Sequence, residues 1–387
     1  MRLALNAWFW NHPTTGSGQY TRRLVEHLTA AAPDLDTLLI APEGGNQKLK
    51  IQNQKTKNPK IRLHPIPDPW RRLSADAGKV WFEQISFPRA CARLEADVAH
   101  VPYWAPPLRC QVPTVVTIHD LIPLLLREYR GGPLVRLYTA LVSATARRAA
   151  LILTDSTASR RDIVAHLGLP ARRVRVVYLA ADERYTPAPA PDDGRMRARH
   201  GLPERYVLYL GGFDVRKNVA TALAAYRQAA STLGEACPLV IAGRLPERDT
   251  PFAPDPRRLA REQGIGERFL RFTGFVDEAD KPALYRGAVA LLFPSRYEGF
   301  GLPPLEALAC GTPVVGSDAA SIPEVVGDAG MLLPPNDDAG MAHALVQLAT
   351  DEGFRAELSR RALSQAATFS WQRTARETLD AYRQAMG

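Results

Sequence analysis

The chain has 387 residues, 46% apolar and 23% charged, with a formal net charge of +9. This length exceeds what a single hydrophobic core usually serves, so two domains are expected, and the apolar fraction excludes a natively disordered chain. No run of about 18 apolar residues occurs, which excludes an ordinary spanning helix, and the charge is unevenly placed, +12 over residues 1–180 and −3 over the remainder. Such a basic first half suits nucleic acid, an anionic membrane or a phosphorylated substrate, or is simply a solvated surface; no nucleic-acid reading module is present, so no nucleic-acid partner is expected. Cys91, Cys110, Cys237 and Cys310 are widely spaced with no C-x-x-C, so buried thiols are the default, with neither a zinc site nor a disulfide framework.

In chain order, Met1 and Arg2 lead directly into an apolar strand over 3–6 rather than into a secretory leader, so a cytoplasmic protein is expected. Gly16-Ser17-Gly18-Gln19-Tyr20-Thr21 then opens an amphipathic helix carrying Leu24, Val25 and Leu28, an anion-receptive glycine turn. Thr21 stands where a dinucleotide fingerprint needs its third glycine, so an NAD site is discounted. Further strands are predicted over 37–41, 61–64, 97–100, 114–118, 151–154 and 174–178. Asp34-Leu35-Asp36 has the spacing of a metal-binding acidic pair but no anion turn beside it, so no metal is expected. Residues 44–60 are polar and lysine-rich, a mobile loop by composition. Arg71, Arg72, Lys79, Trp81, Phe82 and Arg89 form a basic and aromatic stretch with two open readings, a peripheral contact with a membrane or lipid-linked acceptor, or an ordinary helix burying its aromatics. The 114–118 strand ends in His119 and Asp120, and the 151–154 strand in Asp155, Ser156, Ser159 and Arg160, polar groups at strand ends where sites form.

The proline-rich run 179–194 reads as a surface linker, with the boundary near residue 180. Beyond it, strands over 206–210, 239–242, 269–272, 289–293, 313–316 and 330–333 alternate with helical segments. The first of them leads into Gly211-Gly212-Phe213-Asp214-Val215-Arg216-Lys217-Asn218, a glycine turn delivering two cations to a helix start, which suits a diphosphate. Gly243 with Arg244, and Gly274 with Phe275, follow the next two strands. The 289–293 strand enters a loop holding Glu298-Gly299-Phe300-Gly301-Leu302, then Pro303 and Pro304 at a helix start and Glu306 in its first turn. That turn is expected to point free N–H groups and two carboxylates, one at either end, at a hydroxyl-rich or anionic ligand.

This Glu-x7-Glu run, with Gly-Thr-Pro-Val-Val after it, resembles the retaining nucleotide-sugar glycosyltransferases of the large family-four group. The resemblance implies the GT-B fold: two α/β, Rossmann-like, doubly wound domains facing a central cleft. Domain 1–180 would bind the acceptor, 181–369 the nucleotide sugar, and a C-terminal helix over 370–387 would return to the first domain. It implies that Glu298 contacts the donor sugar, Glu306 the ribose, and Arg216 and Lys217 the diphosphate. Gly16, Gly18 and Gly212 would approach the phosphates, Gly243, Arg244 and Phe275 would surround the base, and Gly299, Phe300, Gly301 and Leu302 would line the donor. His119 would lie beside the donor sugar and, with Arg216, Lys217 and Glu298, make up the catalytic set.

The nucleotide sugar is then a substrate, and no cofactor or metal is expected. His-Asp-Leu-Ile-Pro looks most like bacterial polysaccharide mannosyl- and rhamnosyltransferases, so GDP-mannose is the first donor expected, with UDP-glucose, UDP-N-acetylglucosamine and dTDP-rhamnose as alternatives. The acceptor would be a hydroxyl of a glycan or lipid-linked molecule, which allows a peripheral place at the inner face of a membrane. An epimerase, a phosphorylase or a non-catalytic nucleotide-sugar binder of the same fold are the rival classes.

Overall fold

The computed structural model describes residues 1–12, 15–43, 59–67, 69 and 74–387; residues 44–58 of the expected mobile loop, and Arg71 and Arg72, lie outside them. The chain divides into two compact units, Met1–Leu179 with Trp371–Gly387, and Ala180–Ser370.

In unit 1 the strands are β1 (Arg2–Asn6), β2 (Asp36–Pro42), β3 (Ile61–Ile66), β4 (Val98–Val101), β5 (Thr114–Thr117), β6 (Leu151–Thr154) and β7 (Val174–Val176). They form one parallel sheet in the order β3-β2-β1-β4-β5-β6-β7, so the winding reverses between β1 and β4. The register pairs Leu3 with Thr37 on one side of β1 and with Val98 on the other. The helix Trp371–Met386 belongs to this unit because its side chains complete the unit's interior. Trp371 stacks on His27 at 5.9 Å, and Thr374 Oγ1 donates to the Tyr178 carbonyl at 2.6 Å. His100 joins Tyr382 Oη through Nδ1 at 2.7 Å and Thr117 Oγ1 through Nε2 at 2.9 Å, and Thr117 Oγ1 meets Tyr20 Oη at 3.1 Å. Burial pushes His100 down to about 3, so a neutral imidazole sits in this buried chain, one nitrogen donating and the other accepting.

Unit 2 holds β8 (Tyr206–Leu210), β9 (Leu239–Ala242), β10 (Leu270–Gly274), β11 (Ala288–Phe293), β12 (Val314–Ser317) and β13 (Gly330–Leu333), all parallel, in the order β10-β9-β8-β11-β12-β13. Its central strands read as unbroken apolar runs because helices cover both faces. Val207 and Tyr209 enter one core with Leu239 and Ile241, while Tyr206, Leu208 and Leu210 enter the other with Val240 and Ala242. Period-two alternation thus survives as two cores rather than as a core face and a wet face.

One expectation needs correction, and one pair of open readings narrows. The 179–194 run is not a plain surface linker: Tyr185 is 6% exposed within a core, and Arg286 pins the run through Asp193 at 2.5 Å and the Thr186 carbonyl at 3.1 Å. Of the basic and aromatic stretch, Lys79 and Phe82 turn inward. Phe82 is buried, and the Lys79 ammonium lies 5.1 Å from the centre of the Tyr138 ring and 3.6 Å from buried Glu83, so the buried-helix reading holds for these two.

Candidate active site

The sheet of unit 2 reverses winding between β8 and β11, and in an open parallel sheet ligands enter beyond the carboxyl ends of the strands at such a point. β8 ends at Leu210 and β11 at Phe293, so the loops 211–218 and 294–301 leave side by side. They are tied together: the Arg296 N–H donates to the Arg216 carbonyl at 2.8 Å, and Asn218 Nδ2 donates to the carbonyls of Pro294 at 3.1 Å and Pro335 at 2.8 Å. Asn218 has a left-handed φ of 56°, a turn that asparagine tolerates, and it starts the helix Val219–Leu233. Tyr209 Oη supports the first loop by donating to the carbonyls of Gly212 at 3.1 Å and Lys217 at 3.3 Å.

Glu298 lies between the loops, 8% exposed. Arg216 Nη1 donates to its Oε2 at 2.6 Å and to the Tyr297 carbonyl at 3.0 Å, and Lys217 Nζ donates to its Oε1 at 2.7 Å. Burial opposes the Glu298 charge, but Lys217 and Arg216 outweigh it and hold the carboxyl below its ordinary range. Arg216 Nε also lies 3.5 Å from Asp214 Oδ1, so the two partly buried cations are matched by two acids, and of the three donors on the Lys217 ammonium Glu298 takes one.

Ser321 Oγ donates to the carbonyls of Glu298 at 2.8 Å and Phe300 at 2.7 Å, which fixes the second loop from below. Phe300 is 5% exposed and meets Phe369 edge-on, so its ring anchors the loop and only its backbone is placed to line a ligand. Gly301 has φ +111°, a conformation side chains resist. The helix begins at Leu302 rather than at the prolines. Pro303 and Pro304 carry no N–H, so the helix-start donors are the amides of Gly301 and Leu302, fewer than the sequence suggested.

Glu306 belongs to a separate cluster. Tyr285 Oη donates to it at 2.8 Å, Tyr185 packs against Tyr285 at 5.9 Å, and Lys281 is paired with Glu278 nearby. Burial pushes Glu306 up to about 7, with Lys281 pulling back and Glu278 adding to the rise. The two carboxylates thus do sit at either end of the loop and helix, each with its own partners. At the neighbouring strand ends, a Cβ on Gly243 would lie 2.2 Å from the Gly211 carbonyl oxygen, and the Gly243 N–H donates to the Gly274 carbonyl at 2.9 Å, so the turns after β8, β9 and β10 touch. The Arg244 guanidinium lies 5.5 Å from the centre of the Phe275 ring, which is 53% exposed and offers a flat face.

In unit 1, His119 Nδ1 meets Asp155 Oδ2 at 2.6 Å, and Ser159 Oγ donates to the His119 carbonyl at 3.0 Å. Burial lowers the basicity of His119, but Asp155 raises it by more, and the net shift is upward. Its Nε2 is closed from solvent and faces the Pro102 carbonyl, which adds to the rise. Ser156 caps the helix Thr157–Leu167, and Arg160 binds the Val174 and Ala171 carbonyls, both structural roles. The glycine turn of this unit is also more structural than expected. The Gly18 N–H is taken by Thr15 Oγ1 at 3.2 Å, and a Cβ on Gly18 would fall 2.1 Å from the His12 carbonyl oxygen, so the glycine serves close packing. Gly16 has open space around it. Asp34 pairs with Lys60 at 2.7 Å, and Asp36 with Arg62 at 2.6 Å and Arg2 at 3.0 Å.

The family "Glycosyl transferases group 1" matches residues 192–365 and "Glycosyltransferase Family 4" matches 14–185. The chain is 32% identical over 384 residues to the O-antigen chain mannosyltransferase B of Escherichia coli, covering 96% of this chain and 97% of that protein. The chain belongs to this glycosyltransferase family. The glycosyltransferase is also 34% identical over 273 residues to the serotype-specific mannosyltransferase WbdA of Escherichia coli, a match spanning 33% of that longer protein. The sucrose-phosphate synthase of Thermosynechococcus elongatus superposes with a TM-score of 0.75 at 22% identity over 99% of this chain and 98% of that one, which shows the GT-B fold. Among the described residues of this glycosyltransferase no helix is long and apolar enough to cross a membrane.

Sequence reasoning singled out both acids, both cations and the glycine turns. It missed Asn218, Tyr209, Ser321, Tyr285, Tyr185 and Lys281, the groups that hold them. Asn218 carried a signal, standing directly between the cation pair and an apolar helical run; the others announce themselves only through contacts across the fold.

Proposed function

We propose that this enzyme is a retaining mannosyltransferase that moves mannose from GDP-mannose to a hydroxyl of a glycan or lipid-linked acceptor, without a metal. The observation that carries the reading is the buried Arg216–Glu298–Lys217 constellation at the switch point of unit 2. The departing diphosphate gains negative charge as the anomeric C–O bond breaks, and fixed cations in a water-poor setting stabilise charge that develops there. The mannose donor is supported by the mannosyltransferase relative aligned over nearly the full chain. The flat Phe275 face beside Arg244 suits a purine base, and the Glu306 cluster suits ribose hydroxyls.

In this reading the bond from C1 to the phosphate oxygen breaks, its electron pair leaves with the diphosphate, and the acceptor oxygen bonds C1 from the same face. The acceptor proton passes to the departing phosphate oxygen. Glu298 acts as a clamp rather than a nucleophile, because both of its oxygens are engaged by cations. His119 and Asp155 form a fixed imidazole–carboxylate pair on the acceptor-binding unit, and a part in transfer is assigned to them. Metal independence is supported by Asp34 and Asp36 being bound by basic side chains.

Calorimetry with GDP-mannose, UDP-glucose, UDP-N-acetylglucosamine and dTDP-rhamnose, with slow donor hydrolysis followed in chelator, tests the proposal. GDP-mannose is expected to bind tightest, and Lys217→Ala to lower turnover roughly 100-fold or more with a smaller change in donor affinity. His119→Ala is expected to slow transfer without weakening donor binding. Absence of association with every nucleotide sugar defeats the reading.

A further inference from the structure

Unit 1 carries an apolar outer helix face that the donor chemistry does not use. Residues Arg130 to Leu137 are exposed without interruption, and within them Leu134 is 82%, Val135 48% and Leu137 69% exposed. Isolated exposed leucines are ordinary, but three large apolar side chains in one helical turn are a patch. They open the helix Pro133–Ala146, whose inner face buries Thr139, Val142, Thr145 and Ala146 and whose outer face continues through exposed Ala140 and Ala144. The helix is therefore apolar on nearly all sides, a pattern that asks for a second apolar environment.

The charges around the patch indicate what that environment is. Arg127, Arg130 and Arg136 are exposed, with Glu128 the acid among them, and none of the three arginines is paired with an acid among the described residues. A second copy docked face to face through a two-fold axis would bring these arginines against their own symmetry mates, which is repulsive. An anionic lipid surface accepts both features, apolar side chains at the acyl boundary and arginines at the headgroups. The position is also suitable. β5 ends at the edge carrying His119, and the connection to parallel β6 must travel back from that edge, so the helix starts on the side of the sheet where the candidate acceptor-binding groups lie.

We propose that Leu134, Val135 and Leu137, framed by Arg127, Arg130 and Arg136, dock unit 1 onto an anionic membrane surface. This goes beyond the donor reading and does not depend on it. The test is flotation of the full chain with vesicles of phosphatidylcholine alone and of phosphatidylcholine mixed with phosphatidylglycerol. The wild type is expected to float with the mixed vesicles only, less so at high salt. Leu134→Ser with Leu137→Ser should lower the bound fraction roughly tenfold, and Arg130→Ala or Arg136→Ala roughly fivefold each. Melting temperature and donor hydrolysis should be unchanged in all of them, because these side chains touch neither core nor donor site. Equal flotation with both vesicle types, variants that float like the wild type, or a concentration-dependent dimer lost in Leu137→Ser would overturn the proposal.

Discussion

Glu298 is the side chain on which the cation pair depends, and its removal has two separable effects. Glu298→Gln leaves partly buried Lys217 without its carboxylate and Arg216 with Asp214 alone, so the ligand-free protein should lose about 3 kcal/mol of stability in denaturant unfolding. The same change leaves the cations more attractive to a diphosphate, so GDP should bind roughly tenfold tighter and raise the melting temperature more than in the wild type while transfer falls. Glu306 gives a pH signature of the opposite kind. A carboxyl raised from 4.5 to about 7 binds its proton more tightly when folded, so its contribution to stability is full below 4.5 and is lost as pH rises through 7. Its side chain is partly open to solvent, so the slope should amount to about 1–2 kcal/mol. Urea titrations at pH 5 and pH 8 should show this loss in the wild type and not in Glu306→Gln.

The strand-end turns show glycines used for close packing. Gly18 was singled out on its flexibility and Gly243 through the resemblance, yet the structure uses both to let carbonyl oxygens approach within what would be 2.1 and 2.2 Å of a side-chain carbon. Gly243→Ala is therefore expected to cost more than about 2 kcal/mol and to weaken donor binding, read by thermal shift with and without GDP. All the strands among the described residues were legible, the central ones because strands buried on both faces must be apolar throughout; partners brought together by chain crossings were not. Cys91 and Cys110 show this, since their sequence separation indicates nothing while the fold sets the two thiols together. The Cys91 thiol, more than any other group, pulls half-buried Cys110 down to about 6. Cys110 should alkylate with iodoacetamide ahead of buried Cys91, Cys237 and Cys310, as peptide mass mapping would detect.

Across the chain, the alternation of apolar strands and helices made the α/β class and both parallel sheets readable. The returning helix was readable only through its resemblance, since nothing local in Trp371–Met386 says which sheet it will cover. The structure supplies the reason in Trp371, Leu379 and Tyr382, all buried against unit 1. Ending the chain at Ser370 should cost unit 1 several kcal/mol, about 1.5–3 per lost large side chain, and strand the His100–Thr117 pair without its Tyr382 partner. Limited proteolysis of that truncated chain should then cut in unit 1 while leaving fragments from Ala180 to Ser370 intact.

A lobe assembled from two separate stretches, Met1–Leu179 and Trp371–Gly387, also folds under a constraint that its neighbour escapes. Ala180–Ser370 is one unbroken stretch and can close its core from within itself, whereas the other lobe keeps an uncovered flank until Trp371–Met386 arrives from the far side of its neighbour in the chain. The continuous lobe can mature first, and the interrupted one is completed after it.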